Sequence, residues 1–305
     1  MLSFNSDLLQ IASLFSYTYL CILCIKFFMK KILFSALALA GFSFLSPAQV
    51  RMPAPSPTQT VKQEFGIGNI ELTYSRPAAK GRKIFGDLVP YNKLWRTGAN
   101  AATKIVFSEP VEIGGKKLDT GTYVLYTIPG IDSWEVIINK GLKNWGIDGY
   151  KESEDVVKFT VAPSKNKNRV QSFTMEFSDV KATTCSLDIK WDKTSVSIPL
   201  VASFQDKIKS QIDAAMKTDK KPYWQAAQFY NEYDKNLPLA LENVTRAIDG
   251  NKEAFWMWIY KAKIQKEMGD NAGAMESSKK SQELAEAAKN DDYVKMNRDL
   301  QKTLK

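Results

Sequence analysis

The sequence predicts a mainly β protein with an α-helical tail, an antiparallel β-sandwich or jelly-roll-like domain followed by a tetratricopeptide-like helical domain. Two observations carry this. From Gln49 to about Ala202 apolar residues alternate with period two, in short runs separated by glycine, proline and asparagine. From Ser203 to Lys305 they recur every three or four residues instead. With 305 residues the chain has room for two domains of ordinary size.

Ahead of Gln49 the chain reads as a leader. Met29-Lys30-Lys31 is a short basic start, Ile32–Leu45 is apolar over a secretory length, and Ser46-Pro47-Ala48-Gln49 offers a small-residue cleavage site. Residues 1–48 are therefore expected to be removed, leaving a mature chain, periplasmic or secreted, that begins near Gln49. The alternative, that Leu8–Phe28 is a membrane anchor, is weakened by Lys26 and several polar residues that interrupt it, and no stable membrane span is expected in the mature chain.

The β domain, residues 49–202, is built from short runs. Val61–Phe65 and Ile70–Tyr74 come first, joined by Gly66-Ile67-Gly68-Asn69. Lys104–Phe107 and Val111–Ile113 follow, and Gly114-Gly115 marks a tight hairpin, since both central positions of such turns favour positive φ. Thr122–Ile128 and Trp134–Asn139 flank Pro129-Gly130-Ile131-Asp132. The last strands predicted are Val156–Val161, Ser172–Phe177, Cys185–Trp191 and Ser195–Leu200, with Asp192-Lys193 turning the final pair. Lys165–Arg169 reads as a solvated hairpin tip.

The helical domain, residues 203–305, places helices at Phe204–Met216, Tyr223–Tyr233, Leu237–Ile248, Ala254–Met268, Ala272–Lys289 and Asp291–Leu304. Trp224 and Trp258 are 34 residues apart, as are Ala240 and Ala274. That is the tetratricopeptide period, with a bulky residue early in one helix and a small one where the next packs. Two degenerate repeats of this kind would present a surface for a protein partner.

Composition narrows the chemistry. There is no histidine, which removes the commonest general base and nearly all zinc sites, and no metal or cofactor is expected. Of three cysteines only Cys185 lies beyond the leader, where it reads as a small buried residue. Residues 49–202 carry 21 cations and 16 anions, and that whole excess resides between Arg76 and Arg96. Positive charge so localised fits a compact anion site better than a nucleic-acid surface, and no nucleic acid is expected as partner.

The charged stretch is Tyr74–Asn100, YSRPAAKGRKIFGDLVPYNKLWRTGAN. It interleaves Arg76, Lys80, Arg82, Lys83, Lys93 and Arg96 with aromatic rings and with glycines and prolines that forbid a regular element. Its pattern resembles a bacterial family known as domain of unknown function 2911. The matching pieces are Tyr74-Ser75-Arg76-Pro77, Lys80-Gly81-Arg82, Ile84-Phe85-Gly86, Leu88-Val89-Pro90 and Trp95-Arg96-Thr97-Gly98-Ala99-Asn100, continued by Gly121-Thr122-Tyr123, Pro129-Gly130 and Trp134. The resemblance spans roughly Pro57–Leu200. It implies an exported protein in which a helical tail is common; it implies no activity.

From the residues themselves, the expected ligand-binding set is Arg76, Lys80, Arg82, Asp87, Tyr91, Trp95, Arg96 and Asn100. Guanidinium groups grip carboxylate, sulfate or phosphate through paired hydrogen bonds, and rings can stack on a sugar or a cation. Asp87 and Asn100 suit hydroxyls. The competing reading makes the same groups anchors of a long loop, with Arg76 and Arg96 on backbone carbonyls and Trp95 plugging the sandwich. Catalytic candidates are diffuse: Asp87, the Glu152/Glu154/Asp155 cluster, Ser75 with Lys80, and Tyr91. The sequence thus points to a non-catalytic module for an anionic or carbohydrate ligand or a protein partner. A hydrolase-type enzyme acting on such a substrate is the alternative.

Overall fold

The computed structural model describes residues 52–304, of which 55–304 belong to one compact unit. The leader reading over residues 1–48, with Cys21 and Cys24, lies outside the described residues. Strands occupy β1 (Thr58–Phe65), β2 (Gly68–Ser75), β3 (Thr103–Phe107), β4 (Val111–Ile113), β5 (Lys116–Leu118), β6 (Gly121–Ile128), β7 (Trp134–Asn139), β8 (Asp155–Val161), β9 (Ser164–Ser178) and β10 (Thr184–Ala202). They form two sheets with every pairing antiparallel, a six-stranded one ordered β1-β2-β3-β6-β7-β8 and a four-stranded one ordered β5-β4-β10-β9.

The period-two pattern puts one face of each strand into the core. Ile70, Leu72 and Tyr74 of β2, Ile105 and Phe107 of β3, and Trp134, Val136 and Ile138 of β7 meet Phe173 and Met175 of β9 and Leu187, Ile189 and Trp191 of β10. A smaller cluster, Val124, Tyr126 and Ile137 with Ala102, lies on the intervening positions of β6 and β7 and is covered by Leu94, Ile128 and Tyr150. Gly66 turns β1 into β2 at φ +60, and a Cβ there would come within 2.8 Å of the Cβ of Ala202, so the turn tolerates only glycine without displacement.

Two expectations are corrected. Asp192-Lys193 does not separate two strands: β10 runs through it for 19 residues, with Asp192 at φ +52 and the register shifting on either side. The residue makes a bulge instead of a turn, because a short acidic side chain tolerates the left-handed region in either setting. Likewise Lys165–Arg169 is not a hairpin tip but part of the 15-residue β9, with Lys165 opposite Thr194 and Val170 opposite Asp192. Arg169 donates to the Asp192 carboxylate at 2.6 Å across this bulge. The Gly114-Gly115 hairpin is present, and β5, which the sequence reading did not include, is its second strand.

Helices follow at α1 (Gln205–Ala215), α2 (Tyr223–Glu232), α3 (Leu237–Gly250), α4 (Phe255–Glu267), α5 (Asn271–Ala287) and α6 (Asp291–Lys302). The starts of α3, α5 and α6 are capped by Asn236, Asp270 and Asn290, whose side chains accept from the backbone N–H three residues on. Ala240 and Ala274 are fully buried, which lets neighbouring helices approach closely, and Trp224 and Trp258 pack half-buried against the helical core. Phe204 ties this part to the strands: it sits in the sandwich core, edge-on to Tyr233 of the α2 terminus at 5.1 Å. Among the described residues no helix is long and apolar enough to cross a membrane.

Candidate functional site

The connection from β2 to β3, residues 76–102, straddles both sheets. On one side Ala79 N–H donates to Gln171 O and Phe173 N–H to Pro77 O, at 2.8 and 2.9 Å, fastening it to β9. On the other, Trp95 and Thr127 of β6 exchange backbone hydrogen bonds at 2.8 and 3.0 Å. Between these seams Phe85 and Trp95 drop into the core beside Trp134, Phe173 and Trp191, meeting mostly edge to face, while Trp95 and Trp191 lie nearly parallel with centroids 6.1 Å apart. The indole N–H of Trp95 donates to Gly98 O at 3.0 Å.

This backbone is strained where it turns. Lys80, Asn92, Thr97 and Asn100 all have φ near +50 to +60. Thr97 is the costly one, because a β-branched residue in the left-handed region is a true outlier, of order 1–3 kcal/mol. It is fully buried, and its hydroxyl pairs with that of Thr127 at 3.0 Å, which pins the conformation. Gly98 beside it has φ +148, and a Cβ there would stand 3.0 Å from Ser75 O. Arg96 lies between the buried Trp95 and the strained Thr97, so its place is set from both sides.

The three arginines have separate fates. Arg76 is an anchor: its Nε donates to Phe173 O at 3.0 Å and its Nη2 to Thr174 Oγ1 at 2.8 Å. Arg82 closes its own turn, with Nε on Ala79 O at 3.0 Å and Nη2 on Ala78 O at 2.7 Å. Arg96 does neither. Its side chain runs along the backbone of Gly146, and its buried Nε has no hydrogen-bond partner among the described residues.

Arg96 lines a cavity of about 350 Å³ together with Arg82, Lys93, Trp95, Leu88, Ile147 and Trp191. The indole Nε1 of Trp191, a residue only 2% exposed, is likewise buried without a partner among the described residues. Of the predicted set, then, Arg82, Trp95 and Arg96 reach the cavity. Arg76, Lys80, Asp87, Tyr91 and Asn100 are not among its lining. Asn100 instead donates to Ser56 O and to the Ser75 hydroxyl, tying the loop to the strand that precedes it. Tyr91 is half-buried with its ring against Gly86, and Lys80 and Asp87 are exposed. Lys93, Leu88, Ile147 and Trp191 were missed. Lys93 belongs to the basic stretch and was within reach of the same logic, whereas nothing local distinguishes Trp191 from any other buried strand aromatic.

The other candidate groups are engaged elsewhere. Ser75 is buried, and its hydroxyl pairs with Thr58 and Asn100, not Lys80. The Asp155 carboxylate accepts from Tyr150 Oη at 2.8 Å and from Asn139 Nδ2 at 2.7 Å. Burial, then that hydrogen bond, pushes the Tyr150 hydroxyl pKa well above the ordinary tyrosine value. Glu152 and Glu154 pair with surface lysines. Burial pushes the Cys185 thiol up to about 11, which leaves it protonated and a poor nucleophile at neutral pH.

Residues 56–200 match the model of a family described as a protein of unknown function, DUF2911. This β region belongs to that family. Comparison with curated proteins and with solved structures finds no match. The DUF2911 match covers β1 to β10 almost in full and contains every residue lining the cavity, so the cavity lies in the matched region and not in the helical tail.

Proposed function

We propose that the cavity beside Arg96 binds a small anionic ligand, and that the protein is an exported binding module. The observation that carries this is a pair of buried donors, Arg96 Nε and Trp191 Nε1, without a partner among the described residues and carried by two residues that line one cavity. Leaving a buried donor unpaired costs about 1–3 kcal/mol, and native proteins seldom accept that cost twice in one place. A ligand acceptor entering the cavity removes it. The lining supports the sign of the ligand: Arg82, Lys93 and Arg96 face it, with no Asp or Glu. It also favours binding over the hydrolase alternative, since the lining holds no carboxylate to act as a general acid or base.

Replacing Arg96 by glutamine tests the reading. A charge-assisted hydrogen bond contributes on the order of 1.5–3 kcal/mol, so anion binding weakens roughly tenfold to a hundredfold. Because the Arg96 side chain donates to no acceptor among the described residues, the unliganded variant keeps nearly the wild-type melting temperature. Calorimetric titration and thermal melts read both effects. Unchanged anion affinity, or a large loss of stability without ligand, rejects the site.

Export is part of the same reading, motivated by the basic, apolar and small-residue order of Met29–Ala48. N-terminal sequencing of the protein from its native host begins at or near Gln49. A mature chain that retains residues 1–48 overturns this. The helical part is read as two tetratricopeptide-like repeats, supported by the equivalent burial of Ala240 and Ala274, and as a second surface open to a protein partner.

A further inference from the structure

Resting on the anion-site reading, we infer that the ligand is a small organic carboxylate with an apolar or aromatic body, and not a carbohydrate or an inorganic oxyanion. Three features of the cavity lead there.

The first is what the lining lacks. Beyond its three cations it offers one polar side chain, the Ser56 hydroxyl, and no amide or carboxylate. A sugar brings several hydroxyls, each of which loses water on entry and needs both donors and acceptors to replace it. Nearly all the side-chain acceptors that would do so are missing. The second is the number of buried donors. A phosphate or sulfate presents three or four oxygens, and such groups are commonly cradled by several backbone N–H groups at a nest or helix N-terminus. Here the buried, unpaired donors among the described residues are two, one on a flat guanidinium and one on an indole. Arg82 has already committed Nε and Nη2 to carbonyls, so it and Lys93 add positive field more than grip.

The third is the wall. Pro77, Val89, Pro90, Trp95 and Trp191 supply apolar surface, and Leu88 and Ile147 sit at the cavity while 41% and 44% exposed. Large apolar side chains left in water beside a cationic cavity are a surface to be covered by the ligand body. Near 350 Å³, the volume is at the lower end of small-molecule sites, with room for an arylacetate or a medium alkyl chain.

The test is calorimetric titration of the protein as its host produces it, with phenylacetate, octanoate, uncharged phenylacetamide, sulfate, inorganic phosphate and glucuronate at matched ionic strength. Phenylacetate or octanoate is expected to bind at least about tenfold more tightly than any other probe. Arg96→Gln weakens that binding roughly tenfold to a hundredfold, and Ile147→Asn, a surface change that leaves folding intact, weakens it about tenfold. Sulfate, phosphate or glucuronate binding in an Arg96-dependent way, as tightly as the apolar carboxylates, overturns this inference and leaves the anion site standing. Phenylacetamide binding as well as phenylacetate also overturns it, because the charge would then be irrelevant. No binding of any anion overturns both.

Discussion

Replacing Phe173 by alanine will destabilise the protein by about 3–5 kcal/mol, the ordinary cost of emptying a buried aromatic position that cannot collapse. Phe173 is fully buried on β9 and meets Tyr74, Trp95 and Trp191 at centroid separations of 5.7, 5.3 and 5.6 Å. Those rings come from β2, from the long connection and from β10, so the void cannot be filled by one side chain moving. Domains of this size have about 5–15 kcal/mol in all, which makes the loss a large part of the total. Urea denaturation should show a lower midpoint with an unchanged slope, since the area exposed on unfolding hardly changes. Phe173→Leu, which keeps most of the volume, should cost less than half as much. A loss below about 1 kcal/mol for the alanine variant would mean that the cluster is not a tightly packed unit, and the placement of Trp95 and Trp191 at the cavity would lose its support.

The sandwich was legible in the sequence because its strands bury alternate residues. Ile70, Leu72 and Tyr74, or Trp134, Val136 and Ile138, announce an inward face without any knowledge of the partner strand. The helices were legible for the same reason with another period, helped by caps at Asn236, Asp270 and Asn290. What failed was decided at a distance. Lys165–Arg169 is polar on both faces and reads as a tip; only its pairing with residues 192–195 makes it a strand. Asp192 carries left-handed chemistry that serves a turn or a bulge equally well, and the Arg169 guanidinium 23 residues away is part of the setting that makes it a bulge. The cavity was half legible. The basic stretch marked its floor, but Ile147 and Trp191 enter from segments that carry no local sign of it.

Arg76→Gln will do to stability what Arg96→Gln does to binding. The two residues are the same type, 20 positions apart in one loop, and no local signal separates them. Their partners do. Arg76 bonds Phe173 O and Thr174 Oγ1, 97 and 98 residues away, and these bonds clamp the start of the connection onto β9. Glutamine is shorter and neutral, so both bonds are lost and a partly buried carbonyl loses a charged donor. Hydrogen bonds to charged groups contribute about 1.5–3 kcal/mol apiece, but solvent reaches this half-buried side chain and the two are not additive, so about 2–3 kcal/mol is expected. Arg76 is absent from the cavity lining, so ligand affinity measured well below the melting transition should change less than about threefold. The paired experiment is decisive because each variant controls for the other. Arg76→Gln should melt lower and bind normally; Arg96→Gln should melt normally and bind poorly. Should Arg76→Gln instead abolish binding at unchanged stability, the ligand sits on the β9 side of the loop, and the cavity beside Arg96 is not the site.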